Sequence, residues 1–232
     1  MSEIKVELQE HMGSDSSIAN AAWTSTYDKS NRDIKYDDPD KVAKLVPRLI
    51  KENHGTPIES VVFRFWIKMP IYIDRQHTTH RIASHNGLSQ RYRTAPTDWY
   101  AIPTDCKDIL DKIETDGGII HTDIYNSICS KSYGQYSEWI SKLKDKEIAG
   151  VITNAEFKRL REVLRGVLPL SGMTERTTIM NLRSFANYMR LRLDSHAQPE
   201  IQEVARQMLA EVKKANVCPI AIKTLEEINW RI

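Results

Sequence analysis

The sequence predicts one mixed α/β domain that spans residues 1–232. Apolar residues alternate with polar or amphipathic ones along Val61–Ile73, which is the period-two pattern of a strand. Apolar stripes at helical spacing run through the second half of the chain. No linker rich in Gly, Ser or Pro divides the chain, so one domain is favoured over two small ones.

Composition argues against several classes of protein. The 33 basic and 31 acidic residues nearly balance, and a surface that binds nucleic acid is usually more basic. The three cysteines show no CxxC spacing, which argues against a metal site or a disulfide framework and for a reducing compartment. No signal-peptide pattern and no apolar run near the ~18 residues of a membrane span is found, so we expect a soluble, cytoplasmic protein without a membrane partner.

Short strands and capped helices are predicted in the first part of the chain. Ile4–Leu8 alternates and predicts a strand. Residues 13–15 supply turn and N-cap chemistry for an Ala-rich helix that reaches Trp23. Asp38 followed by Pro39 is typical of the start of a second helix.

Long helices are predicted for the second half. They are Asp105–Ile113, His121–Lys144, Asn154–Val167, a helix from Asn181 to about Ser195, and one that starts at Pro199. On the fourth of these, Asn181 and Arg192 lie at one margin of an apolar stripe, and Arg183 and Asn187 lie beyond the other. Such flanks can bind ligands or can be solvated charges beside a core face, and the pattern leaves both open.

A dense polar cluster, RQHTTHRIASHNGLSQR, follows the predicted strand at Arg75–Arg91. Its many directed hydrogen-bond donors suit an anionic ligand that carries a hydrogen-bonding ring. Because the cluster follows the predicted strand directly, we expect it to lie at the end of that rigid strand. Within it, we expect His77 and His85 to be exposed and without function.

Four separated segments together resemble the flavin-dependent thymidylate synthase family. They are HGTPIES (His54–Ser60), RQHTTHRIASHNGLSQRY (Arg75–Tyr92), VLPL (Val167–Leu170) and NLRSFANYMRLRLDSHAQ (Asn181–Gln198). The family is marked by an Arg-His-Arg triplet and a following serine, where this chain has Thr79-His80-Arg81 and Ser89. The similarity covers nearly the whole chain, and several motifs in the right order are far more specific than the triplet alone.

The resemblance implies an α+β fold with a central sheet and long helices, assembled as a homotetramer with FAD at the subunit contacts. It implies methylation of dUMP to dTMP, with methylenetetrahydrofolate as carbon donor and NADPH as the reductant of FAD, without a metal or an attacking cysteine. The residues implied to bind FAD are His54, Thr56, Thr79, His80, Arg81, Asn181, Arg183 and Asn187. Those implied to bind dUMP are Gln76, Ser89, Arg91, Arg165 and Arg192, of which Arg192 and Ser89 are the candidate catalytic residues.

Two departures from the family pattern leave alternatives open. Thr79 stands where the triplet has its first arginine, and Gly87 stands where a carboxylate is common. One alternative is a related flavin- and folate-dependent modification of a pyrimidine nucleotide, such as hydroxymethylation of dUMP. Another is a non-catalytic nucleotide-binding homologue, although a degenerate site has no reason to retain Ser89, Arg91, Arg165 and Arg192 together.

Overall fold

The computed structural model describes residues 2–25, 38–89, 97–110 and 122–232. Its strands are β1 (Lys5–Met12), β2 (Val62–Pro70), β3 (Ser84–Gly87) and β4 (Met173–Asn181). Its helices are α1 (Asp15–Trp23), α2 (Pro39–Lys51), α3 (Gly55–Ile58), α4 (Ile71–His77), α5 (Thr104–Leu110), α6 (Thr122–Ile148), α7 (Asn154–Leu164), α8 (Leu182–Arg192), α9 (Pro199–Lys214) and α10 (Pro219–Glu227). The predicted mixed α/β class, one sheet with many helices, is confirmed.

The four strands form one sheet in the order β1-β2-β4-β3. β1 runs antiparallel to β2, and β3 runs antiparallel to β4 with Gly87 opposite Arg176. Every second side chain of β2 points into the core, where Phe63, Phe65 and Ile67 are fully buried. This burial is the cause of the alternating sequence from which the strand was predicted.

The predicted strand Val61–Ile73 is too long, because its last residues belong to α4. The strand ends at Pro70, which has no N–H to donate to a sheet ladder. Ile73 and His77 are four residues apart and both are buried, which is the spacing of one helical face. The strands β3 and β4 were not predicted, since polar and β-branched residues give them no clear apolar alternation.

Helix caps follow the sequence closely. Ser14 accepts the Ser17 N–H and the Ser17 side chain accepts the Ser14 N–H, which is the capping box that starts α1. Asp38 accepts the Lys41 N–H at 3.2 Å, and Pro39 is the first residue of α2. The predicted helix from Asn181 is shorter than expected, ending at Arg192.

The chain divides into two compact units. The first comprises Met1–Glu3, Met69–Tyr72 and Leu88–Thr174, and the second comprises Ile4–Lys68, Ile73–Gly87 and Glu175–Ile232. In the first, Trp99 stacks on Tyr133 of α6 with ring centroids 5.9 Å apart. In the second, Phe185 of α8 packs on Phe63 of β2 at 5.1 Å. No helix within the described ranges is both long and apolar enough to cross a membrane.

Candidate functional site

A cavity of about 650 Å³ in the second unit collects most of the predicted ligand-binding residues. Its walls are formed by Glu59, Thr79, His80, Arg81, Ile82, Asn181, Arg183, Ser184, Asn187, Leu191, Arg192 and Ile232. Six of the eight residues that were expected to bind FAD are among them, together with Arg192. The volume lies in the range of small-molecule and cofactor sites.

The burial of α8 explains how its two polar flanks reach one cavity. Its apolar stripe is fully buried, with Leu182, Phe185, Ala186 and Met189 all at 0% exposure, and this fixes the rotation of the helix. Asn181 precedes α8 as its N-cap and accepts the Ser184 N–H at 2.8 Å. The two flanks therefore line one cavity, and Arg183 and Asn187 are exposed within it.

Arg192 is held in place by three partners. Its Nε donates to His80 Nε2 at 2.9 Å, and its Nη2 donates to the Gln76 carbonyl at 3.3 Å and to Thr79 Oγ1 at 3.2 Å. The Thr79 hydroxyl in turn donates to the Gln76 carbonyl at 2.7 Å. Within the described residues Nη1 has no protein partner, so a fixed half of the guanidinium fork is available to a ligand.

His80 is a neutral imidazole in this arrangement. A guanidinium only donates, so His80 Nε2 must accept and its proton lies on Nδ1. Burial, followed by the nearby charge of Arg192 and by His85, lowers the pKa of His80 to about 4. At neutral pH the pair therefore carries only the charge of Arg192.

Arg183 lies against the start of α3. A Cβ at Gly55 would lie 2.8 Å from Arg183 Cζ, so a side chain there would require this guanidinium to shift. Arg183 Nη1 also donates to Glu59 Oε1 at 2.8 Å. The predicted His54 and Thr56 flank Gly55 and are not among the residues that line the cavity.

The residues expected to bind dUMP are only partly brought together. Gln76 and Arg192 meet in the second unit through the Gln76 carbonyl. Ser89 and Arg165 belong to the first unit, with Arg165 opening the 3-10 turn Arg165–Val167 that follows α7. Arg91 lies outside the described residues.

The space beside Gly87 is filled by an ion pair that the sequence did not reveal. A Cβ at Gly87 would lie 3.0 Å from Arg176 Nη2. Arg176 forms a bidentate pair with Asp74, in which Nε donates to Oδ1 and Nη2 donates to Oδ2 at 2.6 Å. Both side chains are largely buried. Asp74 thus supplies a carboxylate near a position where the resemblance expects one, although it comes from α4.

The expectation that His77 and His85 are exposed is wrong. His77 is fully buried, because α4 places it on the same face as Ile73. Its ring nitrogens lie 2.9 Å from the Tyr188 hydroxyl and 2.8 Å from Thr178 Oγ1. His85 is half-buried and also contacts Thr178. His77 lies in the polar cluster that follows the predicted strand, and the sequence gave no signal that a helix there would bury it.

Comparison with known proteins identifies the family of this chain. Residues 7–220 match the family model described as thymidylate synthase complementing protein. A flavin-dependent thymidylate synthase of Kosmotoga olearia is 35% identical over 221 residues, covering 93% of this chain and 86% of that protein. Another, from Thermotoga neapolitana, is 35% identical over 208 residues, covering 86% of this chain and 81% of that protein.

Solved structures of PolB from Streptomyces cacaoi, described as a UMP/dUMP methylase, share the fold. The one bound with 5-Br dUMP aligns with a TM-score of 0.71 at 25% identity, covering 99% of this chain and 97% of PolB. The one bound with 5-Br UMP aligns with the same TM-score at 26% identity, covering 99% of this chain and 96% of PolB. From its cavity, its motifs and these likenesses, the chain belongs to the flavin-dependent thymidylate synthase family.

Proposed function

We propose that the chain, acting as one catalytic domain over residues 1–232, methylates dUMP to dTMP with FAD, methylenetetrahydrofolate as carbon donor and NADPH as reductant. The observation that carries the proposal is the fixed Arg192 at a cavity lined by the expected FAD residues. The names of the relatives support the reaction, and the PolB complexes support a uridine nucleotide as substrate.

The donor set of the cavity fits a flavin nucleotide. Arg81 and Arg183 offer cationic donors for phosphate groups, and Asn181 and Asn187 offer amides for the edge of a ring. We assign FAD to these residues together with His54, Thr56, Thr79 and His80. When bound, the flavin supplies the redox chemistry, while the protein fixes its orientation toward the base.

We assign the nucleotide to Gln76, Ser89, Arg91, Arg165 and Arg192. Guanidinium forks and a serine hydroxyl can hold a phosphate through charge-assisted hydrogen bonds. Methylation requires C5 of the uracil to act as a nucleophile. A cation that stabilises negative charge on the ring favours this, and Arg192 is oriented for that role before the ligand arrives.

We further propose that the active form is a cytoplasmic homotetramer with the cavity at a subunit contact. Two apolar side chains of the cavity wall are exposed in the single chain, Ile82 at 79% and Leu191 at 41%. Apolar residues that rim a polar cavity are often covered by a partner. A second copy of the chain would bury them and close the site.

Methylation of UMP is a second candidate function. It is favoured by the likeness to PolB, which is described as acting on UMP and dUMP. Both candidates share the flavin, the carbon donor and the role of Arg192. They differ only in whether a ribose 2′-hydroxyl is accepted.

A full reaction on the purified protein tests the proposal. The visible spectrum is recorded first, and dUMP or UMP is then incubated with methylenetetrahydrofolate and NADPH before the product is identified by mass. A flavin spectrum and a gain of CH₂ on dUMP are expected. A gain of CH₂O would indicate hydroxymethylation instead, and a flavin-free protein without any product would contradict both candidates.

A further inference from the structure

A chain of four hydrogen bonds runs through the second unit and ends in the candidate site. The Tyr188 hydroxyl of α8 lies 2.9 Å from His77 Nδ1, and His77 Nε2 of α4 lies 2.8 Å from Thr178 Oγ1. Thr178 Oγ1 of β4 lies 3.1 Å from His85 Nδ1. His85 Nε2 of β3 lies 3.2 Å from the His80 carbonyl oxygen. These hydrogen bonds therefore link two helices, α8 and α4, and two strands, β4 and β3, to the wall of the cavity.

With a neutral His85 ring, the direction of every bond in the chain follows from its last member. A carbonyl oxygen can only accept, so His85 carries its proton on Nε2 and accepts at Nδ1 from the Thr178 hydroxyl. Thr178 has then used its only proton, so it accepts from His77 Nε2–H. His77 Nδ1 must in turn accept from the Tyr188 hydroxyl. Each histidine has one defined tautomer.

The protonation states of the buried members agree with this direction. Burial lowers the pKa of His77 well below its ordinary value, and His85, His80, Arg176 and Arg192 act in the same direction. Burial also raises the pKa of the Tyr188 hydroxyl, which keeps its proton for donation. Both groups are therefore neutral around pH 7, as the chain requires.

His80 is held on three sides by this arrangement. Its backbone N–H donates to the His77 carbonyl at 3.3 Å, and its own carbonyl accepts from His85. Its ring lies against the Tyr188 ring at 4.5 Å. In this position, Nε2 of the His80 ring accepts the Nε–H of Arg192.

We propose that His77, Thr178 and His85 are positioning residues that hold His80, and through His80 the guanidinium of Arg192, in the orientation needed to bind and activate the nucleotide base. The proposal rests on the proposed function for the identity of that base. A buried polar chain is costly unless every member is paired, and an apolar core at the same place would avoid the cost. Each ring nitrogen and hydroxyl of His77, Thr178 and His85 has a hydrogen-bond partner. Residues that hold a site in a fixed geometry need such complete pairing.

Thr178 is the residue at which the series of hydrogen bonds can be interrupted with the smallest change in side-chain shape. Thr178→Val removes the hydroxyl and keeps the volume, whereas Thr178→Ser keeps the hydroxyl and removes a methyl group. Thr177→Val is a matched control, because Thr177 is the neighbouring residue of β4 and faces the other side of the sheet. The three proteins are compared with the unmodified chain by ¹⁵N NMR of the histidine rings and by turnover of dUMP.

In the unmodified chain, His77 and His85 are expected as Nε2–H tautomers and His80 as the Nδ1–H tautomer. Thr178→Val is expected to abolish the defined tautomer of His77 and to lower kcat by about tenfold or more, as misplaced groups do. His85 keeps its Nε2–H tautomer in this variant, because it still donates to the His80 carbonyl. Thr178→Ser is expected to restore the His77 tautomer and kcat, and Thr177→Val to leave both unchanged.

An unchanged His77 tautomer and unchanged turnover in Thr178→Val would overturn the proposal. Equal losses in the Val and Ser variants would also overturn it, because they would indicate a role in packing alone. Failure of the proposed function is distinguishable, since the unmodified protein would then show the expected tautomers but no dTMP. In that case the His80 tautomer, measured by ¹⁵N NMR, is the only report on the orientation of Arg192. An unchanged Nδ1–H tautomer of His80 in Thr178→Val would then overturn the proposal.

Discussion

Arg192 donates its Nε–H to Nε2 of His80 over 2.9 Å. This bond joins a permanently charged guanidinium to a ring that titrates. It exists only while the imidazole is neutral, because a protonated ring has no acceptor and repels the guanidinium. The geometry of the candidate site is therefore tied to the protonation state of one histidine.

This pairing predicts that stability falls in mildly acidic solution. The pKa of His80 is lowered from 6.5 to about 4 in the folded chain, so the unfolded chain binds more protons between these values. The contribution of His80 is fully present above pH 6.5 and is lost as pH falls toward 4. Urea unfolding at pH 7, 6 and 5 (roughly spanning the titration of His80) measures the loss.

His80→Gln provides the control for this titration, since an amide does not titrate and can still accept a hydrogen bond. His77 contributes in the same direction, so the variant should keep part of the pH dependence. A smaller loss of unfolding free energy between pH 7 and 5 is expected in His80→Gln than in the unmodified protein. Parallel curves for the two proteins would contradict the assignment.

Arg192→Lys is expected to lower turnover by about 100-fold or more while the protein still folds and binds flavin. Lysine keeps the charge, but it cannot reach His80, Gln76 and Thr79 at once while presenting a planar donor pair to the base. Steady-state kinetics and the flavin spectrum measure the two effects. Arg206→Lys on α9, an exposed arginine paired with Glu203, is the matched control and should leave turnover unchanged.

Thr79→Val tests how this chain orients Arg192 without the arginine that its family has at this position. The change removes one of the two acceptors of Arg192 Nη2 and one of the two donors to the Gln76 carbonyl. We expect the KM for dUMP to rise by roughly five- to thirtyfold, which corresponds to the loss of about 1–2 kcal/mol. Thr79→Ser keeps the hydroxyl and should bind as the unmodified protein does. An unaltered KM in the Val variant would show that Gln76 and His80 are sufficient.

Asp15→Ala tests a cap that holds the last helix. The buried carboxylate of Asp15 accepts the N–H groups of Ile220 and Ala221 at 3.0 and 2.9 Å, at the start of α10. Removing it leaves both donors without their acceptor, so we expect a loss of about 2–4 kcal/mol of unfolding free energy. The loss is measured by urea unfolding.

Two further variants separate this cap from general effects of acidic residues. Asp15→Asn keeps one acceptor oxygen and should lose less than Asp15→Ala. Asp40→Ala, in the exposed first turn of α2, should change stability by no more than about 0.5 kcal/mol. Equal stability of Asp15→Ala and Asp40→Ala would show that α10 does not depend on this cap.

Much of the site could be predicted because local rules govern it. The apolar stripe of α8 specified its rotation, and Asn181, Arg183, Asn187 and Arg192 on its margins line the cavity. Cap residues such as Asp38 also act on atoms only a few positions away, so their effect is visible in the sequence.

The pairing of strands that are distant in the sequence could not be predicted. β4 is polar along much of its length, and its strand conformation depends on neighbours that are distant in the chain.

The sequence by itself determined the family, the helices and the kinds of side chain available to a nucleotide and a flavin, because motifs and periodicity are properties of neighbouring residues. Only the tertiary structure decided which of these side chains meet. His77 reaches Thr178 across 101 positions, and Arg176 reaches Asp74 across 102. Whether a histidine is exposed or forms part of a buried hydrogen-bonded chain depends on which strands pair, and that is decided by the packing of the whole core.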